Sequence, residues 1–187
     1  EKGLTVIEGN AEFDLKQFPD KSFDYVVLSQ TLQAFLNPEL VINELLRVGK
    51  KAIVTIPNFG YWKVRLHMLI KGTMPVTKTL PDQWYDTPNL HMCTIKDFVY
   101  FVKSRNYKIF KSLALNDQNV SLINDTNLGI KNLFADLGIF ANIHFFNSSN
   151  DLQSEGGASL CAQLLPSQPA LSISRPHNAS STITPII

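Results

Sequence analysis

No G-x-G-x-x-G string occurs anywhere in these 187 residues. In dinucleotide-binding folds such a turn follows the first strand and cradles the phosphates, and an acid about 20 residues on holds the ribose. The adjacent glycines Gly156 and Gly157 lie far from any strand end, in a Ser- and Pro-rich terminal stretch. Cysteine is scarce as well. Cys93 and Cys161 stand far apart without framework spacing, which argues against a disulfide scaffold and for a reducing compartment, the cytoplasm. His91 and Cys93, two residues apart, lack the second pair a structural zinc needs, so no metal is expected. No apolar run approaches the roughly 18 residues of a spanning helix. A net charge of +1 gives no pull toward nucleic acid or an anionic membrane. The chain opens on Glu1 without a basic stretch leading into an apolar one, so no secretory signal is visible.

What is present is core material. Apolar residues make up 44% of the chain, enough for one domain with something left over. Strands and helices alternate from the start. Residues 4–7 read as a short strand ending at a turn, and residues 13–20 as a connector. Phe23-Asp-Tyr-Val-Val-Leu28 is a near-continuous apolar run, expected of a strand covered on both faces. Asn37-Pro38 opens a helix with an Asn cap and Pro at its first position, and Gly49 stops it. Val41, Ile42, Leu45, Leu46 and Val48 form its buried stripe. Residues 51–56 are the next buried strand, which completes a parallel βαβ unit with a right-handed crossover expected.

Residues 61–71 read as a helix with Trp62, Leu66 and Leu69 on one side, and residues 72–93 as a long Pro-rich excursion. Thr94 and Asp97 form a capping box for a helix whose stripe is Ile95, Phe98, Val99 and Val102. Residues 107–115 are a strand, and residues 139–145 an edge strand returning as a hairpin. From residue 147 aromatics disappear and charge nearly vanishes. The domain is therefore expected to span 1–146, with 147–187 disordered or foreign to it, such as a shifted reading frame or a cloning remnant.

In an open parallel sheet, ligands bind beyond the carboxyl ends of the strands. Three such ends are polar or Gly-containing: Gly9-Asn10-Ala11, Ser29-Gln30-Thr31 and Pro57-Asn58-Phe59-Gly60. Strand ends are turn-like in any protein, so spacing alone leaves both readings open. Lys63, His67 and Lys71 share a helix face with Arg65 nearby, either a carboxylate site or a solvated basic face. The run Trp84-Tyr85-Asp86-Thr87-Pro88-Asn89 suits an acceptor lid, a partner-docking loop or an aromatic plug. Asp86 and His91 are the nearest candidates for a general base.

Residues 18–34, Asn43-Glu-Leu-Leu-Arg-Val-Gly49, residues 52–60, Trp62-Lys-Val-Arg65, residues 72–77, Leu80-Pro81, residues 84–89 and His91-Met-Cys-Thr94 together resemble the MetW family, over residues 4–140 or so. The most specific strings are Ser29-Gln-Thr-Leu-Gln-Ala34, Pro57-Asn-Phe-Gly60 and Trp84-Tyr-Asp-Thr-Pro-Asn89. The resemblance implies a three-layer α/β fold. Its sheet is doubly wound and mostly parallel, the Rossmann-like class I methyltransferase architecture, here lacking its first strands and Gly-rich loop. It implies S-adenosylmethionine as the cofactor of the complete domain, bound weakly or not at all by this fragment. Asn10 and Ala11 would lie near the adenine, and Ser29 and Gln30 near the methionyl end. Asn58, Trp62, Arg65, Trp84, Tyr85, Asp86, Thr87 and Asn89 become substrate or partner candidates.

The function implied is that of an accessory protein of L-methionine biosynthesis, acting beside homoserine O-acyltransferase as its protein partner. A methyltransferase acting on a small molecule is the alternative. A binding module for another nucleotide is a third reading.

Overall fold

The computed structural model describes residues 7–8, 11–116, 119–145, 170–174 and 182–186. Strand β1 (Ile7–Glu8) is followed by α1 (Ala11–Asp14), a 3-10 turn (Leu15–Gln17) and β2 (Phe23–Ser29). A second 3-10 turn (Leu32–Ala34) leads into α2 (Pro38–Val48), β3 (Gly49–Pro57) and α3 (Trp62–Lys71). Then come α4 (Ile95–Ser104), β4 (Tyr107–Asn116), β5 (Asn119–Leu122), α5 (Leu128–Phe134) and β6 (Leu137–Phe145). Two further strands, β7 (Ala170–Ser174) and β8 (Thr182–Ile186), complete one mixed sheet in the order β1-β8-β7-β2-β3-β6-β4-β5. Here β2 and β3 are parallel, as the βαβ reading requires, and β1, β7, β2, β3 and β4 share one direction. The architecture is Rossmann-like α/β.

One sheet face carries the core. Val26 and Leu28 of β2 sit beside Ala52 and Val54 of β3, and Val54 sits beside Phe140 of β6; all five are buried. Helices α2 and α4 cover this face side by side. Phe98 stacks on Phe140 at 4.4 Å, and the Tyr107 hydroxyl reaches Asn43 Oδ1. On the opposite face Tyr25, Val27, Ile53 and Thr55 are half-buried. The apolar run of β2 is thus sealed on one side and partly open on the other.

The helix ends follow local chemistry, with one correction. Thr94 and Asp97 form the expected capping box, with Thr94 Oγ1 accepting from Asp97 N–H and Asp97 Oδ2 from Thr94 N–H, both at 3.1 Å. Asn37 does not cap α2 through its side chain; its own N–H instead donates to Glu12 Oε1 at 2.8 Å. Gly49 stops α2 as expected, with φ −100°, and the chain runs straight into β3. Glycine is required there by closeness, because a Cβ would lie 2.5 Å from Val26 Cγ2. The last carbonyls of α2 are instead held by Lys21, whose Nζ donates to Leu46 O at 2.6 Å and Gly49 O at 3.0 Å.

Strand β6 departs from the expected edge position. It is interior, antiparallel to β3 on one side and to β4 on the other, and β5 takes the edge. The reason is composition: β6 carries no formal charge from Leu137 to Ile143, whereas β4 carries Lys108 and Lys111. Gly138 lets β6 slide under α4, since a Cβ there would stand 3.0 Å from Ile95. β7 and β8 lie within the stretch read from composition as disordered or foreign. There Ala-Leu-Ser-Ile-Ser alternates at strand period and pairs parallel with β2, and β8 pairs with β7. The other residues from 146 onward lie outside those described.

Candidate functional site

The carboxyl end of β2 is a tightly pinned turn. Gln30 takes φ 51°, a left-handed conformation that costs a residue with a Cβ about 1 kcal/mol. Its N–H donates to both Thr55 O and Thr55 Oγ1 at 3.0 Å, and its carbonyl accepts from Gln33 Nε2 at 2.8 Å. The Thr31 hydroxyl donates to Ser29 O at 2.7 Å. The long 72–93 loop returns onto this turn, where Leu90 and His91 N–H both donate to Gln33 O at 2.9 Å. With the backbone so held, the Ser29 hydroxyl and the Gln30 side-chain amide are half-buried and make no hydrogen bond among the described residues. Of the other two cofactor candidates, Ala11 is fully buried in the core beside Leu15 and offers only an apolar wall. Asn10 lies outside the described residues.

The end of β3 is built differently. Asn58 is 1% exposed and uses its whole amide inside the protein. Its Oδ1 accepts from Gly60 N–H at 2.9 Å and Ile95 N–H at 3.3 Å, and its Nδ2 donates to Asn132 O at 2.8 Å and Ala135 O at 2.6 Å. That leaves no hydrogen-bonding capacity for a substrate. Asn132, also buried, accepts from Lys96 N–H at 3.2 Å. Gly60 sits between the two amides, where a Cβ would come within 3.0 Å of both. The pair locks β3, α4 and α5 together. Gln33 and Asn132 escaped the sequence reading; for Gln33 the signal was a polar residue between the apolar Leu32 and Ala34.

The remaining candidates are on the surface. Arg65 Nε donates to Gly60 O at 2.6 Å, so it braces the turn before α3. Lys63 lies over both the Tyr61 and Trp62 rings, and His67 Nε2 is 3.2 Å from Thr73 Oγ1. Trp84 and Tyr85 are 72% and 73% exposed and meet edge to face at 5.6 Å. They do not plug a core. Asp86 sits in an exposed turn, and the Thr87 hydroxyl accepts from Asn89 N–H at 3.2 Å. His91 is exposed at the end of the same loop. Burial, with help from the nearby Asp97 carboxylate, pushes the Cys93 thiol up to about 12, so it is a neutral wall residue.

The family described as methionine biosynthesis protein MetW matches residues 1–142. The chain belongs to the MetW family. A curated relative, the bifunctional methionine biosynthesis protein MetXA/MetW of Rhodopirellula baltica, is 41% identical over 97 residues. That alignment covers 51% of this chain and 16% of the relative, so the chain spans about a sixth of that protein's length. A SAM-dependent methyltransferase of Thermotoga maritima, described as a possible histamine N-methyltransferase, superposes with a TM-score of 0.48 at 16% identity. The superposition covers 72% of this chain and 60% of that one. The matching family is described by its part in methionine biosynthesis. Among the described residues no helix is long and apolar enough to cross a membrane, and no group of three His, Cys, Asp or Glu is placed to hold a metal.

Proposed function

We propose that this chain is an accessory domain of L-methionine biosynthesis that supports a homoserine O-acyltransferase by docking to it in the cytoplasm. The observation that carries the reading is the exposed Trp84–Tyr85 pair, held edge to face on a loop whose far end is clasped to Gln33. Large aromatics presented on a pinned loop are characteristic of binding hot spots rather than of solvent-facing surface. The fused MetXA/MetW relative supports the same pairing, because one polypeptide carries both names. Trp62 and Arg65 of α3 are further partner candidates, and Asp86, Thr87 and Asn89 shape the loop.

The test is to titrate homoserine O-acyltransferase with the chain and follow acyl transfer from acyl-coenzyme A. The expected outcome is a rate that rises and saturates near equimolar protein. Trp84→Ala should cut the stimulation by about tenfold or more, the scale of a hot-spot truncation. An unchanged acyl-transfer rate at excess chain would overturn the reading.

A second reading, a methyltransferase acting on a small molecule, is favoured by the unbonded Ser29 hydroxyl and Gln30 amide at the end of β2. These two fit the polar, methionyl end of S-adenosylmethionine. The chain carries no G-x-G-x-x-G turn, so the fit is partial, and Asp86 and His91 are the candidate bases. Calorimetric titration of S-adenosylmethionine into wild type and Gln30→Ala tests it: no heat from wild type leaves the accessory role standing alone.

A further inference from the structure

A cavity of about 400 Å³ lies between α2 and α4, above Ile56 at the end of β3. Its volume is within the range of small-molecule sites. Leu32, Ile56, Phe98 and Phe101 give it apolar walls, and Met92 and Cys93 close one side. Neither Ser29 nor Gln30 lines it, so it is separate from the strand-end positions discussed above.

Gln33 is 2% exposed; its Nε2 donates to Gln30 O, but its Oε1 accepts no hydrogen bond. Asn89 Oδ1, which does not line the cavity, is likewise buried without a partner, one residue before the Leu90 and His91 N–H groups that clasp Gln33 O. A buried acceptor left unpaired costs roughly 1–3 kcal/mol, so one beside a cavity calls for a donor. Two carboxylates, Glu39 and Asp97, line it together with Asn37 and His91, and no Lys or Arg lines it among the described residues. Both acids sit in the first turns of their helices, where they offset the positive helix ends that would otherwise draw an anion. Glu39 also pairs with Arg105 at 2.7 Å outside the wall, and Asp97 accepts from Thr94. The neutral Cys93 thiol adds no charge.

We propose that this cavity binds a small molecule with an apolar body and a primary amine, whose N–H groups are taken by the Gln33 amide oxygen. The apolar body lies against Phe98 and Phe101, and the acidic wall admits the ammonium while rejecting carboxylates of equal size. The site is independent of the partner-docking reading.

The probe is 2-phenylethylamine, titrated into the full chain by calorimetry, with 3-phenylpropanoate as the charge-reversed control of similar shape. The expected result is saturable binding of the amine, with the carboxylate weaker by about tenfold or more. Gln33→Leu removes the acceptor and should weaken the amine by about tenfold. Because Gln33 is buried, Met92→Lys provides a second variant: Met92 is exposed at the mouth, so the fold is kept while a like charge meets the ammonium. It too should weaken amine binding. Equal affinity for amine and carboxylate, absence of saturable amine binding, or unchanged amine affinity in Met92→Lys would each overturn the proposal.

Discussion

At the scale of single residues, Asn58 joins four backbone groups from the turn before α3, the start of α4 and the end of α5. Removing its amide leaves two N–H and two carbonyl groups without their partner in a buried place. Asn58→Ala is therefore expected to lower the unfolding free energy by about 3 kcal/mol in a denaturant titration. Gly60→Ala acts on the same knot by overpacking and should cost about 1–3 kcal/mol. Cys93 makes a pH prediction with a definite sign. Its thiol is raised from an ordinary 9.0 to about 12, so the folded state holds a proton that the unfolded chain releases first. Stability is full below pH 9 and falls as pH rises toward 12. The fall between pH 9 and 11, read from urea unfolding, should be steeper in wild type than in Cys93→Ala.

At the scale of elements, α2 and α4 look alike in sequence, each opening on a good cap residue, yet they start differently. Thr94 caps α4 through its side chain, whereas Asn37 does not cap α2. Thr94→Ala should therefore cost about 1 kcal/mol and Asn37→Ala distinctly less, although a sequence rule would rank them together. Thermal unfolding of the two variants side by side checks this. What holds α2 instead is Lys21 at its far end, a residue that reads locally only as part of the Pro19-to-Ser22 turn. Helix α3 shows the opposite imbalance. Only Val64 is buried in it, and Leu69 is 82% exposed on the same side as Trp62 and Leu66. Its spacing announced a helix and an apolar side; that this side faces outward became clear only when the sheet was seen to receive α2 and α4 instead. Leu69→Ser should change stability by less than about 0.5 kcal/mol while weakening any partner that uses this helix.

At the scale of the whole molecule, we propose residues 1–146 as the domain, with β7 and β8 inserted in the sheet between β1 and β2. A chain ending at residue 146 should still unfold in one cooperative transition, followed by tryptophan fluorescence and circular dichroism together. Loss of that transition would mean that β2 needs β7 beside it. The local signals were legible in the sequence because each has a short-range cause. Apolar runs give buried strands, the 3.6-residue period gives the stripes of α2 and α4, and the Thr94–Asp97 box needs only neighbours three residues apart. The specific strings around Ser29, Pro57 and Trp84 were likewise enough to point to the family. Only the tertiary structure decided that β6 is interior, that Asn58 is a brace and not a ligand contact, and that Gln33 lies buried against a cavity. Each of those depends on partners dozens of residues away, such as Asn132 for Asn58 and Leu90 for Gln33. No periodicity or spacing within a segment records which distant backbone group will arrive to complete a hydrogen bond.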